Sequence, residues 1–163
     1  MKIQEFLGEI EVFKGLNASD IEKVANICIV KEFKDGDTIF SKDDMSEELY
    51  ILQSGRCDVK IFMGSIEKAY TLYQLNVGDI FGELGFIDGS PRSATVNCNK
   101  EAKVIILPRE AFAMLCSENT HIGHILMKNI AVVLAHKLRE TDEEIKNFSL
   151  PQKIRFRKLF HIG

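Results

Sequence analysis

Glycine-containing turn signals divide the middle of the chain into short runs that favour β-structure. Between residues 30 and 107 the runs fall at 49–53, 57–62, 69–75, 93–97 and 103–107. The turns between runs include Asp35-Gly36-Asp37 and Val77-Gly78-Asp79. Short strands at roughly even spacing, separated by turns, are typical of an antiparallel barrel or a double-sheet roll. This pattern limits the folds open to the chain more than any other feature.

Helical periodicity flanks this region on both sides. Apolar residues recur at helical spacing over about 1–28, where Asn17 or Ser19 can cap a second helix. After Pro108 the helical period returns over 109–118 and then over 121–147. The stripe of the long helix comprises Ile122, Ile125, Leu126, Ile130, Val133, Leu134, Leu138 and Ile145. We therefore predict an α+β chain: an antiparallel β roll (jelly-roll-like, a double-stranded β-helix) with N-terminal helices and a long C-terminal helix.

The composition is that of an ordinary globular protein. The 163 residues suit one domain, predicted over 1–147 and followed by a basic, apolar tail at 148–163. A net charge of −3 offers no general attraction for nucleic acid, so no direct DNA binding is expected. No apolar run reaches the length of a transmembrane helix, and the four cysteines form no C-x-x-C pair. We expect a cytoplasmic protein with reduced thiols.

The segment 81–96 carries the groups that an anion site needs. Gly82 and Gly85 bracket a turn in which backbone N–H groups can approach an anion closely, because no Cβ obstructs them. The planar, permanently charged guanidinium of Arg92 suits phosphate oxygens, and Ser93 adds a hydroxyl beside it.

Glu83 offers the opposite chemistry within the same segment. A carboxylate accepts hydrogen bonds from sugar hydroxyls, so a phosphate joined to a sugar would satisfy both Glu83 and Arg92. The alternative is a structural ion pair between these two residues across a loop, with the glycines as ordinary corners of the roll.

The order of residues 81–96, FGELGFIDGSPRSATV, resembles the phosphate-binding cassette of the cyclic-nucleotide-binding family without a gap. The segments 13–16, 36–40, 49–55 and 78–82 are similar to the helix junction and roll corners of that family. The resemblance extends from about residue 10 to 140. It implies that Glu83 accepts from the ribose 2′-hydroxyl and that Arg92 pairs with the cyclic phosphate. The implied ligand-binding residues are Gly82, Glu83, Leu84, Arg92, Ser93 and Ala94.

The resemblance also bears on the base of the nucleotide. In the family a Thr after the cassette Arg often goes with cGMP and an Ala with cAMP. Ser93 has a hydroxyl as Thr does, but bacterial cAMP-dependent activators also carry Ser at this position, so cAMP is the expected ligand, cGMP is the second candidate, and no other cofactor is expected. The long helix resembles the lid helix of the family, with candidate base contacts at Ala135, His136 and Arg139. For Arg139 a solvated position on the helix surface is the alternative.

Other functions find less support in the sequence. His121 and His124 lie three apart on a helix, but no further ligand accompanies them, so no metal site is predicted. All four histidines follow the predicted roll, which argues against a cupin-like metalloenzyme, and no catalytic motif is recognisable. The remaining alternative is a degenerate interaction module that has lost its ligand.

The step that passes on nucleotide binding is expected to involve parts of the protein outside the β roll. The family couples binding to an attached effector, so we predict ligand-driven repositioning of the C-terminal helix, homodimerisation through that helix, or a downstream effector protein. The tail at 148–163 has basic and apolar residues that suit an acidic partner or a membrane surface. A packed terminal segment is the alternative for the tail.

Overall fold

The N-terminal part of the chain forms two short helices. The computed structural model describes residues 2–62 and 69–147. Helix α1 (Ile3–Glu9) is followed by a 3₁₀ turn (Glu11–Phe13) and by α2 (Ala18–Ile27). Of the two candidate caps for α2, Asn17 is the one used: its side chain accepts from the backbone N–H of Asp20 at 2.9 Å.

Within the described ranges, six strands then form one antiparallel sheet that folds into the roll. They are β1 (Ile29–Phe33), β2 (Thr38–Phe40), β3 (Leu49–Phe62), β4 (Ala69–Leu75), β5 (Ile80–Phe81) and β6 (Thr95–Leu107). Strand β6 pairs with β1, β2 and β3, while β3 also pairs with β4 and β5. The predicted α+β class with an antiparallel roll is confirmed.

The two longest strands differ from the prediction. The runs at 49–53 and 57–62 are one strand, β3, and the runs at 93–97 and 103–107 are one strand, β6. Gly55, at φ 91°, lies within β3 in a stretch with three register shifts against β6. A glycine at positive φ accommodates a bulge without ending the strand, so the glycine that suggested a turn is part of a continuous strand.

A short helix, α3 (Glu83–Asp88), lies between β5 and β6. After the roll, the described part of the chain forms α4 (Arg109–Glu118) and α5 (Thr120–Asn147). Ile122, Leu126 and Ile130 of α5 are fully buried, but Leu138 and Ile145 are exposed. The predicted apolar stripe is therefore wrong beyond Leu134, because the last turns of α5 project past the core. No helix among the described residues is long and apolar enough to span a membrane.

The core consists of two clusters that meet along β3 and β6. One joins the helices to the roll and includes Leu7, Phe13, Leu49, Leu107, Phe112 and Ile122. The other fills the roll and includes Phe40, Tyr50, Leu52, Val59, Phe81 and Val96. The limits of the domain at 1–147 stay a prediction, and the tail at 148–163 lies outside the described residues.

Candidate functional site

The segment between β5 and β6 begins with a backbone turn that glycine makes. Gly82, at φ 74°, directly follows β5 and precedes the short helix α3 (Glu83–Asp88). A Cβ at Gly82 would lie 2.6 Å from Nη1 of Arg92 and 3.0 Å from the ring of Tyr50. Both the left-handed conformation and the close approach therefore require glycine at this position.

This segment lines an open pocket against the inner face of the roll. The pocket is lined by Phe40, Val59, Leu72, Tyr73, Phe81, Gly82, Glu83, Leu84, Gly85, Arg92, Ser93, Ala94 and Val96. All six residues predicted to bind the ligand are among them. Their role in binding stays a prediction, but the fold places them at one cavity.

Arg92 is buried beneath the cassette, with 2% of its surface exposed. Its Nε donates to Oγ of Ser46 at 2.7 Å, and its Nη1 donates to the carbonyl oxygen of Gly82 at 2.6 Å. Its Nη2 donates to the carbonyl oxygen of Glu48 at 2.9 Å and lies 3.3 Å from the carboxylate of Glu48. Since Nη1 carries two N–H groups and these contacts use one of them, a donor is left beside the cassette.

Two aromatic rings fix the plane of the Arg92 guanidinium. Its Cζ lies 4.6 Å from the ring centroid of Phe40 and 5.2 Å from that of Tyr50. The ring of Tyr50 stacks in turn on Phe81, with centroids 5.2 Å apart. The cation is therefore held by rings on one side and by hydrogen bonds at its edges. Such preorganisation suits the recognition of an anion.

Glu83, the other charged residue of the pocket, does not pair with Arg92. Its side chain is 10% exposed, and its Oε1 accepts from Nζ of Lys137 at 2.8 Å. Lys137 lies on α5 and also donates to the carbonyl oxygen of Ile80 at 3.3 Å. The alternative of a structural Glu83–Arg92 ion pair is therefore wrong, because each residue has its own partner.

The electrostatics of Lys137 follow from its position. Burial disfavours its charged form, but the carboxylate of Glu83 and the hydroxyl of Tyr73 outweigh burial and raise the pKa of Lys137. Burial also raises the pKa of Tyr73. At neutral pH the ion pair between α5 and α3 is therefore fully formed.

A known protein family matches the part of the chain that builds this pocket. The family model described as "Cyclic nucleotide-binding domain" matches residues 30–119, which include the whole cassette. The chain belongs to this family. The function predicted from the sequence, that of a cyclic nucleotide-binding module, is thereby confirmed at the level of the family.

Relatives of this cyclic nucleotide-binding domain occur in larger regulatory proteins. It is 34% identical over 112 residues to a cAMP-dependent protein kinase regulatory subunit of Candida albicans, covering 69% of this chain and 23% of that protein. It is 28% identical over 144 residues to the cyclic AMP receptor protein of Thermus thermophilus, covering 86% of this chain and 63% of that protein. The chain thus spans less than two thirds of the length of either relative.

A solved structure supports the same fold. A cyclic nucleotide-binding domain from Methylobacillus flagellatus superposes with a TM-score of 0.82 at 20% identity, covering 93% of this chain and 85% of that one. At this level of identity the likeness concerns the fold alone. It includes the roll and the flanking helices that position the pocket.

The candidate base contacts predicted on α5 are not among the residues that line the pocket, and their role stays a prediction. Ala135 is half-buried, whereas His136 and Arg139 are exposed. Lys137 of α5 contacts the cassette through Glu83, and it was not among the residues predicted from the sequence. Its signal was its spacing: Lys137 follows the apolar positions Val133 and Ile130 at helical intervals. A lysine in line with a buried stripe is held close to the core, where a buried charge needs a partner.

The mouth of the pocket is apolar on one side. Leu72 of β4 is 52% exposed and Leu84 of α3 is 44% exposed, although both line the pocket. Ser93 is exposed at the same rim. Apolar side chains at the mouth suit a flat base, while Arg92 and Glu83 suit a phosphate and a sugar. Among the described residues no cluster of three metal-ligating side chains occurs.

Proposed function

We propose that this domain is a regulatory sensor that binds a cyclic nucleotide, cAMP in preference to cGMP, and has no enzymatic activity. The observation that carries the proposal is the pair of buried charged residues, Arg92 and Glu83, at one pocket with separate partners. Arg92 pairs with the cyclic phosphate, joined by Ser93 and the amides of the cassette. Glu83 accepts from the ribose 2′-hydroxyl.

The preference for cAMP rests on Ser93 and on the names of the two relatives, a cAMP-dependent protein kinase regulatory subunit and a cyclic AMP receptor protein. The way in which binding is passed on is also part of this proposed function. Ligand binding repositions α5, and a homodimer partner or a downstream effector senses that movement at a cytoplasmic location. A ligand shifts such an equilibrium only by its differential affinity for the two positions of the helix.

Isothermal titration with cAMP, cGMP and 5′-AMP tests this function. We expect cAMP to bind more tightly than cGMP, and 5′-AMP to bind far more weakly than either, because its phosphate is not in a ring. The variant Arg92→Gln removes the buried cation and is expected to weaken cAMP binding by about a hundredfold or more. Arg56→Gln is the matched control, because it removes one positive charge as Arg92→Gln does, but at an exposed position on β3.

Arg92 also holds Ser46 and Glu48, so a urea titration must show that Arg92→Gln is folded under the conditions of the binding experiment. Absence of heat for the wild-type protein with both cyclic nucleotides up to about 1 mM would contradict the proposal. That result would support the alternative, an interaction module that has lost its ligand.

A further inference from the structure

Lys137 joins the C-terminal helix to the cassette through a mostly buried ion pair. Its Nζ lies 2.8 Å from Oε1 of Glu83, and the two side chains are 32% and 10% exposed. Nζ of Lys137 also lies over the ring of Tyr73, 6.0 Å from its centroid. A carboxylate as buried as that of Glu83 needs a partner, because an unpaired buried charge is strongly destabilising.

The charges around the pocket explain what this partner does for an anionic ligand. The positive charge of Arg92 is shared with the carboxylate of Glu48 at 3.3 Å. Glu83 adds a second carboxylate, so these three residues carry a net charge of −1. A cyclic phosphate is itself an anion, and like charges in a partly buried site repel each other. Lys137 restores neutrality at the pocket.

The carboxylate geometry leaves room for both partners. Oε1 of Glu83 accepts from Lys137, and a carboxylate can accept on both of its oxygens, so this bond does not prevent Oε2 from accepting a second donor. Lys137 therefore need not leave when a sugar hydroxyl arrives. Its ammonium holds the carboxylate in place and cancels its charge at the same time.

We propose that Lys137 is a positioning residue for nucleotide binding that acts through Glu83. By balancing the negative charge of Glu83, Lys137 lets this carboxylate accept a sugar hydroxyl beside an anionic phosphate. The proposal rests on the function proposed above and names a determinant on α5. Because Lys137 and Glu83 lie on different helices, affinity depends on the position of α5. A displacement of α5 that separates the pair leaves Glu83 uncompensated and weakens binding, which couples the helix to the ligand.

The test is a double-mutant cycle of cAMP affinity measured by isothermal titration. Lys137→Met keeps the aliphatic stem and removes the charge, and we expect it to weaken binding by about tenfold or more. Lys137→Arg keeps the charge and is expected to stay within about threefold of the wild-type affinity. In the Glu83→Gln background, Lys137→Met is expected to change the affinity by less than about threefold, because no carboxylate is left to balance. Lys128→Met, at an exposed position of the same helix, is the matched control.

Each outcome supports or overturns the inference. Urea midpoints establish that every variant is folded before its affinity is compared. An unchanged affinity of Lys137→Met overturns the role of Lys137 while leaving the proposed function intact. An equal loss in the Glu83→Gln background also overturns it, because Lys137 would then act independently of Glu83. A wild-type protein that binds neither cyclic nucleotide overturns the proposed function and this inference together.

Discussion

Gly55 occupies a position in β3 where the neighbouring strand leaves no space for a side chain. A Cβ built there would lie 2.1 Å from the carbonyl oxygen of Glu101 and 2.5 Å from Cα of Ala102. Both are atoms of β6 backbone, which cannot move without disturbing the longest strand pairing of the roll. We expect Gly55→Ala to lower the free energy of unfolding by more than about 3 kcal/mol, measured by urea denaturation.

Gly36 provides the matched control at the residue scale. Its φ of 86° is close to the 91° of Gly55, but nothing lies within 4 Å of a Cβ built on it. Gly36→Ala therefore incurs the conformational cost alone, about 1 kcal/mol. Equal losses for the two variants would show that backbone conformation, and not the approach of β6, requires glycine at position 55.

At the scale of elements, the side chain of Asn129 links α5 to the N-terminal segment by hydrogen bonds, in addition to the apolar packing between them. Nδ2 of Asn129 donates to the carbonyl oxygens of Val12 and Lys14, at 2.9 Å and 2.8 Å. Asn129→Asp has nearly the same shape but replaces both N–H donors with an acceptor that faces two carbonyl oxygens. We expect the free energy of unfolding to fall by about 2 kcal/mol, measured by urea denaturation at pH 7.

Asn26→Asp makes the same chemical change at an exposed position of α2 and is expected to cost less than about 0.5 kcal/mol. A loss for Asn129→Asp no larger than for this control would mean that the two hydrogen bonds contribute nothing to the attachment of α5.

The elements also show what local sequence can predict. The flanking helices and the antiparallel roll could be predicted from the sequence, because the spacing of apolar residues that distinguishes a helix from a strand repeats within a few residues. The predicted break at residues 54–56 does not exist, because Gly55 serves a bulge within β3 as well as it would serve a turn. The predicted break at 98–102, where the sequence has no glycine, is also part of a continuous strand, β6. Whether a glycine ends a strand depends on the pairing partner, which lies far away in the chain.

Local sequence predicted one part of the candidate site and missed the other. The cassette is contiguous, so its six predicted residues appear in one stretch of sequence and line one pocket in the structure. The partners of Arg92 and Glu83 lie outside the cassette, in a loop and a helix that are remote in sequence. They are Ser46, Glu48 and Lys137. Their distance from the cassette along the chain is why no local motif named them, although the helical spacing of Lys137 offered a hint.

At the scale of the whole molecule, the resolved pKa shifts of the buried groups point the same way. Burial raises the pKa of Cys28 and of Cys57 to about 12, and the pKa values of Tyr50 and Tyr73 are raised too, mainly by burial. Unfolding exposes these groups, and their pKa values return to about 8.5 for a thiol and about 10 for a tyrosine.

The sign of the pH dependence follows from proton binding. Above about pH 9 the unfolded chain loses protons that the folded chain keeps, so the free energy of unfolding falls as the pH rises. The raised pKa of Lys137 acts in the same direction, because its ion pair with Glu83 is complete below the unfolded pKa and is lost as the pH rises through the folded one. We therefore expect urea midpoints to decrease steadily from about pH 9 to about pH 11.

One thiol can be removed to test this origin of the alkaline sensitivity. Cys28→Val keeps an apolar side chain of similar size at a half-buried position and removes a group whose folded pKa is about 12. The decrease of stability between about pH 9 and pH 11 is expected to be shallower in this variant, while the two proteins differ little in slope between about pH 6 and pH 8. Identical slopes above pH 9 would exclude Cys28 as a contributor. A wild-type stability that stays constant up to about pH 11 would contradict the raised pKa values as a group, since buried thiols and phenols that resist ionisation cannot leave the folding equilibrium independent of pH in that range.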